Sequence, residues 1–180
     1  IGVTISGAID QRNYKLANYL VNNELNEAVI EFAYQGPLLK LKKGKINFAI
    51  TGDIFFNIIR NNSKIEKGKC YQNYSLNDGE QIDVVSTKKS VYGYLSVSGG
   101  FVLEETWGSY SINTKAQIGP NHGKKYSINE KIFIKKSIIE NIKDKKINYK
   151  GFFDNIIRVI KGTNFDYFSD EAKNIFFNET

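Results

Sequence analysis

The stretch INFAITGDIFFNII (residues 46–59) decides the fold class, because it holds two short apolar runs separated by one turn signal. β-Branched and aromatic residues fill Ile46 to Thr51 and again Ile54 to Ile59, with Thr51-Gly52-Asp53 at the junction. Runs of this length and composition are typical of β-strands. The two runs are therefore predicted to be successive strands.

Similar runs lie on both sides of this stretch. The further predicted strands are Ala28 to Tyr34, Leu38 to Leu41, Tyr71 to Leu76, Gln81 to Val85 and Tyr92 to Val97. Turn residues separate them, and Asp78-Gly79 is the strongest hairpin-type signal in the chain. Short strands at this spacing indicate an antiparallel barrel or sandwich, so the fold class is mainly β with a few helices (α+β).

One helix is predicted near the start of the chain. Leu16, Tyr19 and Leu20 recur at helical spacing, which indicates a helix over residues 11–22. Asp10 precedes it as an expected N-cap.

Weaker patterns follow the strand series. A helix is predicted within Phe165 to Phe177, and strands at Ile132 to Ile134 and Asn155 to Ile160. The lysine-rich residues 137–150 are expected to form an exposed loop or a weak helix.

Composition excludes several classes of protein. The 180 residues are 41% hydrophobic, enough for a packed core. The net charge of +6 comes almost entirely from dispersed lysine, which favours solvated lysines over a nucleic-acid partner. The single cysteine, Cys70, excludes a disulfide framework and a Cys-based zinc site within this chain. No apolar run is long enough to span a membrane, and a cytoplasmic location is expected.

The sequence contains no complete catalytic motif. It lacks a P-loop, a His-Glu-x-x-His helix and a Gly-x-Ser-x-Gly elbow. His122, the only histidine, follows Pro120 and is expected to be an exposed or hydrogen-bonding loop residue. Cys70 is expected to be a packed side chain. No metal site is predicted, and no residue is assigned a catalytic role.

Two segments that contain glycine are candidates for ligand binding. Ser6-Gly7-Ala8-Ile9-Asp10 is a strand-to-helix turn whose amides could bind an anion, although a plain capped helix explains it equally simply. Ser98-Gly99-Gly100 ends a predicted strand, where it could form either a ligand site or a bulge. Trp107-Gly108-Ser109-Tyr110-Ser111 adds either an aromatic wall with hydroxyls or a core Trp beside a turn.

In this order, the segments resemble the family that holds the C-type subunit of 5-oxoprolinase and allophanate hydrolase subunit 2, the biotin-dependent carboxyltransferase-type domain. The pieces that carry the resemblance are Gly2 through Asp10, Ala17-Asn18, Gly36-Pro37, Ala49 to Gly52, Tyr94 to Gly100 and Gly108 to Ser111. Two positions depart from the family pattern, since Tyr110 replaces an Arg and Ile112 a Thr. Because the chain begins at Ile1 and has no Met, it is interpreted as a fragment or a shortened, diverged member.

The resemblance implies a cyclophilin-like β-barrel over residues 1–150 and the start of the family's second half over residues 151–180. It implies a component of a heteromer that acts with B-type and A-type partner subunits in ATP-dependent hydrolysis of 5-oxo-L-proline to L-glutamate, and that is not active alone. A urea carboxylase or allophanate hydrolase-related carboxyltransferase domain, which would involve biotin, is one alternative. A non-catalytic regulatory module is another.

The expected ligand is a small cyclic amide or urea-type molecule. The residues expected to bind it are Ser6, Gly7, Asp10, Asn18, Ser98, Gly99, Gly100, Ser109 and Ser111. The glycines would supply backbone amides, and the serines would orient a carboxylate or amide.

Overall fold

The computed structural model describes residues 6–136, 143–151 and 159–178. The chain divides into two compact units, Ile1–Tyr149 and Lys150–Thr180. No helix in the described ranges is long and apolar enough to cross a membrane.

The first unit contains one α-helix and eight strands within the described residues. They are α1 (Gln11–Leu20), β1 (Ile30–Ala33), β2 (Leu38–Lys40), β3 (Lys45–Thr51), β4 (Ile54–Ile59), β5 (Ile65–Lys67), β6 (Asn73–Asn77), β7 (Gln81–Thr87) and β8 (Tyr92–Val97). The first sheet has the order β1-β8-β3-β6 and the second the order β2-β7-β4-β5. All pairings are antiparallel.

The prediction of a mainly β fold with a few helices is confirmed. Of the two antiparallel arrangements that the sequence left open, the strands form two four-stranded sheets rather than one closed barrel. Apolar side chains from both sheets share one core, in which the rings of Phe48 and Phe56 meet edge to face at 6.3 Å.

The first sheet is buried on both faces, which explains the unbroken apolar run of β3. Phe48 and Ile50 enter the core between the sheets, whereas Ala49 packs against Leu20 and Val21 at the end of α1. In the second sheet, β4 alternates buried and exposed side chains because one of its faces is open to solvent.

The interpretation of Asp78-Gly79 as a hairpin is wrong. Gly79 has φ +83° and does form a turn, but β6 pairs with β3 and β7 pairs with β2 and β4. The turn therefore passes the chain from one sheet to the other. The strand β5 (Ile65–Lys67) was not predicted, because three residues with one exposed isoleucine carry almost no periodicity.

The described part of the lysine-rich segment, residues 143–149, is neither a helix nor a free loop. It runs beside β6, where Asn73 N–H donates to the Lys145 carbonyl at 3.1 Å and Lys145 N–H donates to Asn73 Oδ1 at 2.8 Å. Ile147 N–H also donates to the Tyr71 carbonyl at 2.8 Å. These bonds cover the outer edge of the first sheet.

Other predictions near the end of the chain had mixed outcomes. In the range Ile132 to Ile134, only Ile134 pairs, through an isolated bridge to Phe101. Most of Asn155 to Ile160 lies outside the described residues. In the second unit, the predicted helix is confirmed as a 3₁₀ turn, Phe165–Tyr167, followed by α2 (Asp170–Asn178).

Candidate functional site

A groove of about 1110 Å³ lies in the first unit beside the start of α1. Its walls are the turn before α1, residues 24–31, and residues of the segment 101–112. Four of the residues predicted to bind a ligand line it, namely Ser6, Gly7, Ser109 and Ser111. The fold thus brings together two segments that are about a hundred residues apart in the chain.

The turn before α1 opens onto this groove. Gly7 has φ +140°, which favours glycine, and a Cβ added there would meet nothing within 4 Å. Ser6 Oγ accepts a long hydrogen bond, 3.5 Å, from the Asn113 amide, which ties the turn to the opposite wall.

The backbone donors at the start of α1 have acceptors within the chain. Ile9 N–H donates to Glu31 Oε2 at 2.9 Å, and Asp10 N–H donates to the Tyr94 hydroxyl oxygen at 2.7 Å. Asp10 Oδ1 accepts from Arg12 N–H and Asn13 N–H, so Asp10 is the predicted N-cap. These bonds favour the capped-helix interpretation over an anion site at these amides.

Asn18 lies beneath the groove wall. Its side chain is fully buried, and its amide donates to the Glu27 carbonyl at 2.7 Å. Its oxygen accepts from the Ser96 hydroxyl at 2.6 Å. Asn18 therefore holds residues 24–28 against the first sheet instead of facing the groove.

The Ser98-Gly99-Gly100 segment is a tight turn at the end of β8. Gly99 and Gly100 have φ +83° and +78°. Gly99 N–H donates to Asn23 Oδ1 at 2.9 Å, and Gly100 N–H donates to the Val97 carbonyl at 3.0 Å. Ser98 is buried, and its hydroxyl accepts from Asn47 N–H. The structure does not place these three residues on the groove wall, and it gives both glycine amides internal acceptors.

Gly100 has a second role, which concerns space. A Cβ at this position would lie 2.4 Å from Cδ of Glu27. Only glycine therefore leaves room for the Glu27 carboxyl, which does line the groove.

Residues 106–111 form the other wall. Thr106 and Ser109 exchange backbone hydrogen bonds, which places Trp107 at the tip of the turn with φ +52° and 79% of its surface exposed. Trp107 is thus neither the core residue nor the groove wall that the sequence suggested. Ser109 Oγ accepts from Ser111 N–H at 3.1 Å and fixes the two serines relative to each other. His122 is exposed, as expected.

Sequence reasoning missed the charged residues of the groove. Glu24, Glu27, Glu31 and Glu105 line it together with Lys15. Tyr110 lines it too, and its hydrogen bond with Glu105 raises the pKa of the phenol. These residues belong to no local motif, so only their meeting in the fold identifies them.

Neither a metal nor a triphosphate is suited to the described residues. They include no group of three or more His, Cys, Asp or Glu side chains that could hold a metal ion. Four carboxylates against one lysine would repel a triphosphate from the groove. Cys70 packs against the core, and burial raises the pKa of its thiol to about 11, which keeps it protonated near neutral pH.

Known proteins with related sequences cover most of the chain. It is 31% identical over 123 residues to the C-type subunit of 5-oxoprolinase of Haemophilus influenzae, which is 68% of this chain and 38% of that protein. It is 28% identical over 134 residues to urea amidolyase of Lachancea kluyveri, which is 74% of this chain and 7% of that protein. The chain therefore spans well under half the length of these relatives.

Solved structures share the fold. A crystal structure of TTHA0988 superposes with a TM-score of 0.74 at 22% identity, covering 94% of this chain and 32% of that one. The Kluyveromyces lactis urea carboxylase superposes with a TM-score of 0.65 at 23% identity, covering 72% and 11%. The family model for the carboxyltransferase domain, subdomain A and B, matches residues 1–180, and the chain therefore belongs to that family.

Proposed function

We propose that this chain is part of an ATP-dependent 5-oxoprolinase, which hydrolyses 5-oxo-L-proline to L-glutamate together with A-type and B-type partner subunits. The observation that carries the proposal is the single groove shared by the Ser6-Gly7 turn and the Ser109 to Ser111 segment. The likeness to the 5-oxoprolinase component of Haemophilus influenzae supports this choice of substrate.

The polar groups of the groove complement a cyclic amide. A lactam presents one carbonyl acceptor and one N–H donor. Hydroxyls such as that of Ser111 can donate to the carbonyl, and carboxylates such as Glu105 can accept from the N–H. Hydrolysis then adds water to the carbonyl carbon and breaks the ring C–N bond, leaving a carboxylate and an amine.

ATP is assigned to the partner subunits. The charge of the groove opposes a triphosphate, so no step that involves ATP is placed in this chain. This division of labour agrees with a domain that is inactive on its own.

A second candidate is a carboxyltransferase domain that acts on a urea-type substrate, with biotin as the carboxyl carrier. The four groove glutamates favour it, because urea offers four N–H donors to carboxylate acceptors. The match to urea amidolyase of Lachancea kluyveri over 74% of this chain supports it as well.

Co-purification from the native cell tests the proposal. The tagged chain is captured, its partners are identified by mass spectrometry, and the complex is assayed for ATP-dependent glutamate formation from 5-oxoproline. Capture of a protein similar to the B-type partner, with this activity, supports the proposal. Carboxylation of urea without 5-oxoproline cleavage favours the second candidate, and a stable protein with neither partner nor activity favours a regulatory module.

A further inference from the structure

A lysine that the sequence did not single out stands at the wall of the groove. Lys135 Nζ donates to both carboxylate oxygens of Glu27, at 2.9 and 3.0 Å. The same ammonium lies 5.8 Å from the centre of the Tyr110 ring. Because Glu27 and Tyr110 both line the groove, Lys135 is fixed beside it.

Glu27 is itself held in place by its surroundings. Its oxygen accepts from Ala28 N–H at 3.2 Å, and its carboxyl fills the space that Gly100 leaves free. The Glu27 carbonyl accepts from the buried Asn18 amide, so the backbone is anchored as well. Lys135 N–H donates to the Gly100 carbonyl at 3.0 Å, which anchors the other partner of the ion pair. The pair therefore has a defined geometry before any ligand arrives.

The ammonium retains capacity for a ligand. It has three N–H donors, of which two can be used by Glu27, and within the described part of the chain the third has no acceptor. The Lys135 side chain keeps 40% of its surface exposed, against 18% for Glu27. A ligand in the groove can thus reach the lysine while the glutamate stays behind it.

The charge around Lys135 selects the kind of oxygen it can bind. Glu27 neutralises the lysine, and the remaining groove carboxylates, Glu24, Glu31 and Glu105, outnumber Lys15. A free carboxylate would be repelled by this surplus, whereas a neutral carbonyl would not.

Resting on the proposed function, we infer that Lys135 binds the amide carbonyl oxygen of the ligand, with Glu27 as the residue that positions it. An ammonium hydrogen bond to this oxygen stabilises negative charge that develops there when a nucleophile adds to the carbonyl carbon. Lys135 is then a residue of the site that selects amides, both lactams and urea-type molecules.

Ligand binding to the full 180-residue chain tests this role without any need for activity. The probes are pyrrolidin-2-one, which has the lactam without a carboxylate, and cyclopentanecarboxylate, which has the carboxylate without the lactam. Each is titrated against the isotope-labelled chain, and shifts of groove amide resonances give its affinity. Lys135→Gln is expected to weaken pyrrolidin-2-one about tenfold, the size expected for one charge-assisted hydrogen bond. Lys135→Arg is expected to restore part of the affinity.

Lys15→Gln is the matched control, because it removes the other groove lysine and should leave pyrrolidin-2-one binding unchanged. The inference is overturned if pyrrolidin-2-one binds Lys135→Gln as well as wild type, if only the carboxylate probe depends on Lys135, or if neither probe shifts groove resonances. Lys135-dependent lactam binding in a chain that supports no 5-oxoproline cleavage would reject the proposed function and keep this inference.

Discussion

The Ser96 hydroxyl donates a hydrogen bond to Asn18 Oδ1 at 2.6 Å, and both side chains are fully buried between α1 and the first sheet. The Asn18 amide meanwhile donates to the Glu27 carbonyl. One buried asparagine thus joins the helix, the sheet and the groove wall.

Asn18→Ala should therefore destabilise the whole first unit. The substitution leaves the Ser96 hydroxyl and the Glu27 carbonyl without their partner, which costs about 2 kcal/mol. Urea denaturation followed by circular dichroism measures the loss. Lys15→Ala, at an exposed position on the same helix, should change stability little. Unchanged stability in Asn18→Ala together with weakened ligand binding would instead make Asn18 a ligand contact.

Gly100→Ala should destabilise the domain more than Gly44→Ala does. Both glycines have positive φ, +78° and +95°, so each alanine carries a strain of about 1–2 kcal/mol. Only at Gly100 does the new Cβ also meet a side chain, that of Glu27. The difference between the two unfolding free energies measures the displacement of Glu27. Equal losses would show that Glu27 moves aside freely.

Asp10 can be tested separately as a cap and as a ligand contact. Asp10→Ala should lower the free energy of unfolding by about 1 kcal/mol, because Arg12 N–H and Asn13 N–H lose their shared acceptor. Asp10→Ser should retain most of the stability, since serine also caps helices. If Asp10 is only a cap, the serine variant also keeps the activity of the reconstituted complex. A stable but inactive serine variant would assign the carboxylate to the ligand.

The ion-pair network around Glu80 should make stability fall in acid. Burial alone would raise the pKa of Glu80, but hydrogen bonds from Asn77 and Arg60 outweigh it, and the pKa is lowered. A carboxyl with a lowered pKa in the folded state contributes its stability above its unfolded pKa. That contribution is lost as pH falls through the folded value. Urea midpoints measured between about pH 6 and pH 3 should decline.

Glu80→Gln is the control for this pH dependence. It should be less stable than wild type at neutral pH, because Arg60 keeps only its bonds to Glu66 and the Ser75 carbonyl. Its decline in acid should be shallower. A decline as steep as that of wild type would place the acid sensitivity in other carboxyls.

The strands were predictable because their composition and turns are local properties. Ile54–Ile59 and Tyr92–Val97 begin and end where the sequence indicates. Which strands pair was not predictable, since Asp78-Gly79 has the sequence of a hairpin turn but joins strands of different sheets. That choice depends on the shared core, which no local pattern encodes.

The groove was predictable only in part, for the same reason. Glycine and serine segments indicated Ser6, Gly7, Ser109 and Ser111, all of which line it. The polar spacing of Asn18 and Ser98 indicated a ligand equally well, yet both are buried by their own hydrogen bonds. Glu27 and Lys135 are 108 residues apart, so their ion pair exists only in the fold.

The central claim is that the groove binds the substrate of an amide-cleaving complex, and Ser111→Ala tests it most directly. The chain is reconstituted with its A-type and B-type partners, and ATP-dependent glutamate formation from 5-oxoproline is measured, with Ser86→Ala on β7 as the matched control outside the groove. The account predicts that Ser111→Ala lowers kcat/KM about tenfold, the value of one hydrogen bond, while Ser86→Ala leaves it unchanged. A Ser111→Ala complex as active as wild type would contradict the claim that substrate lies in this groove.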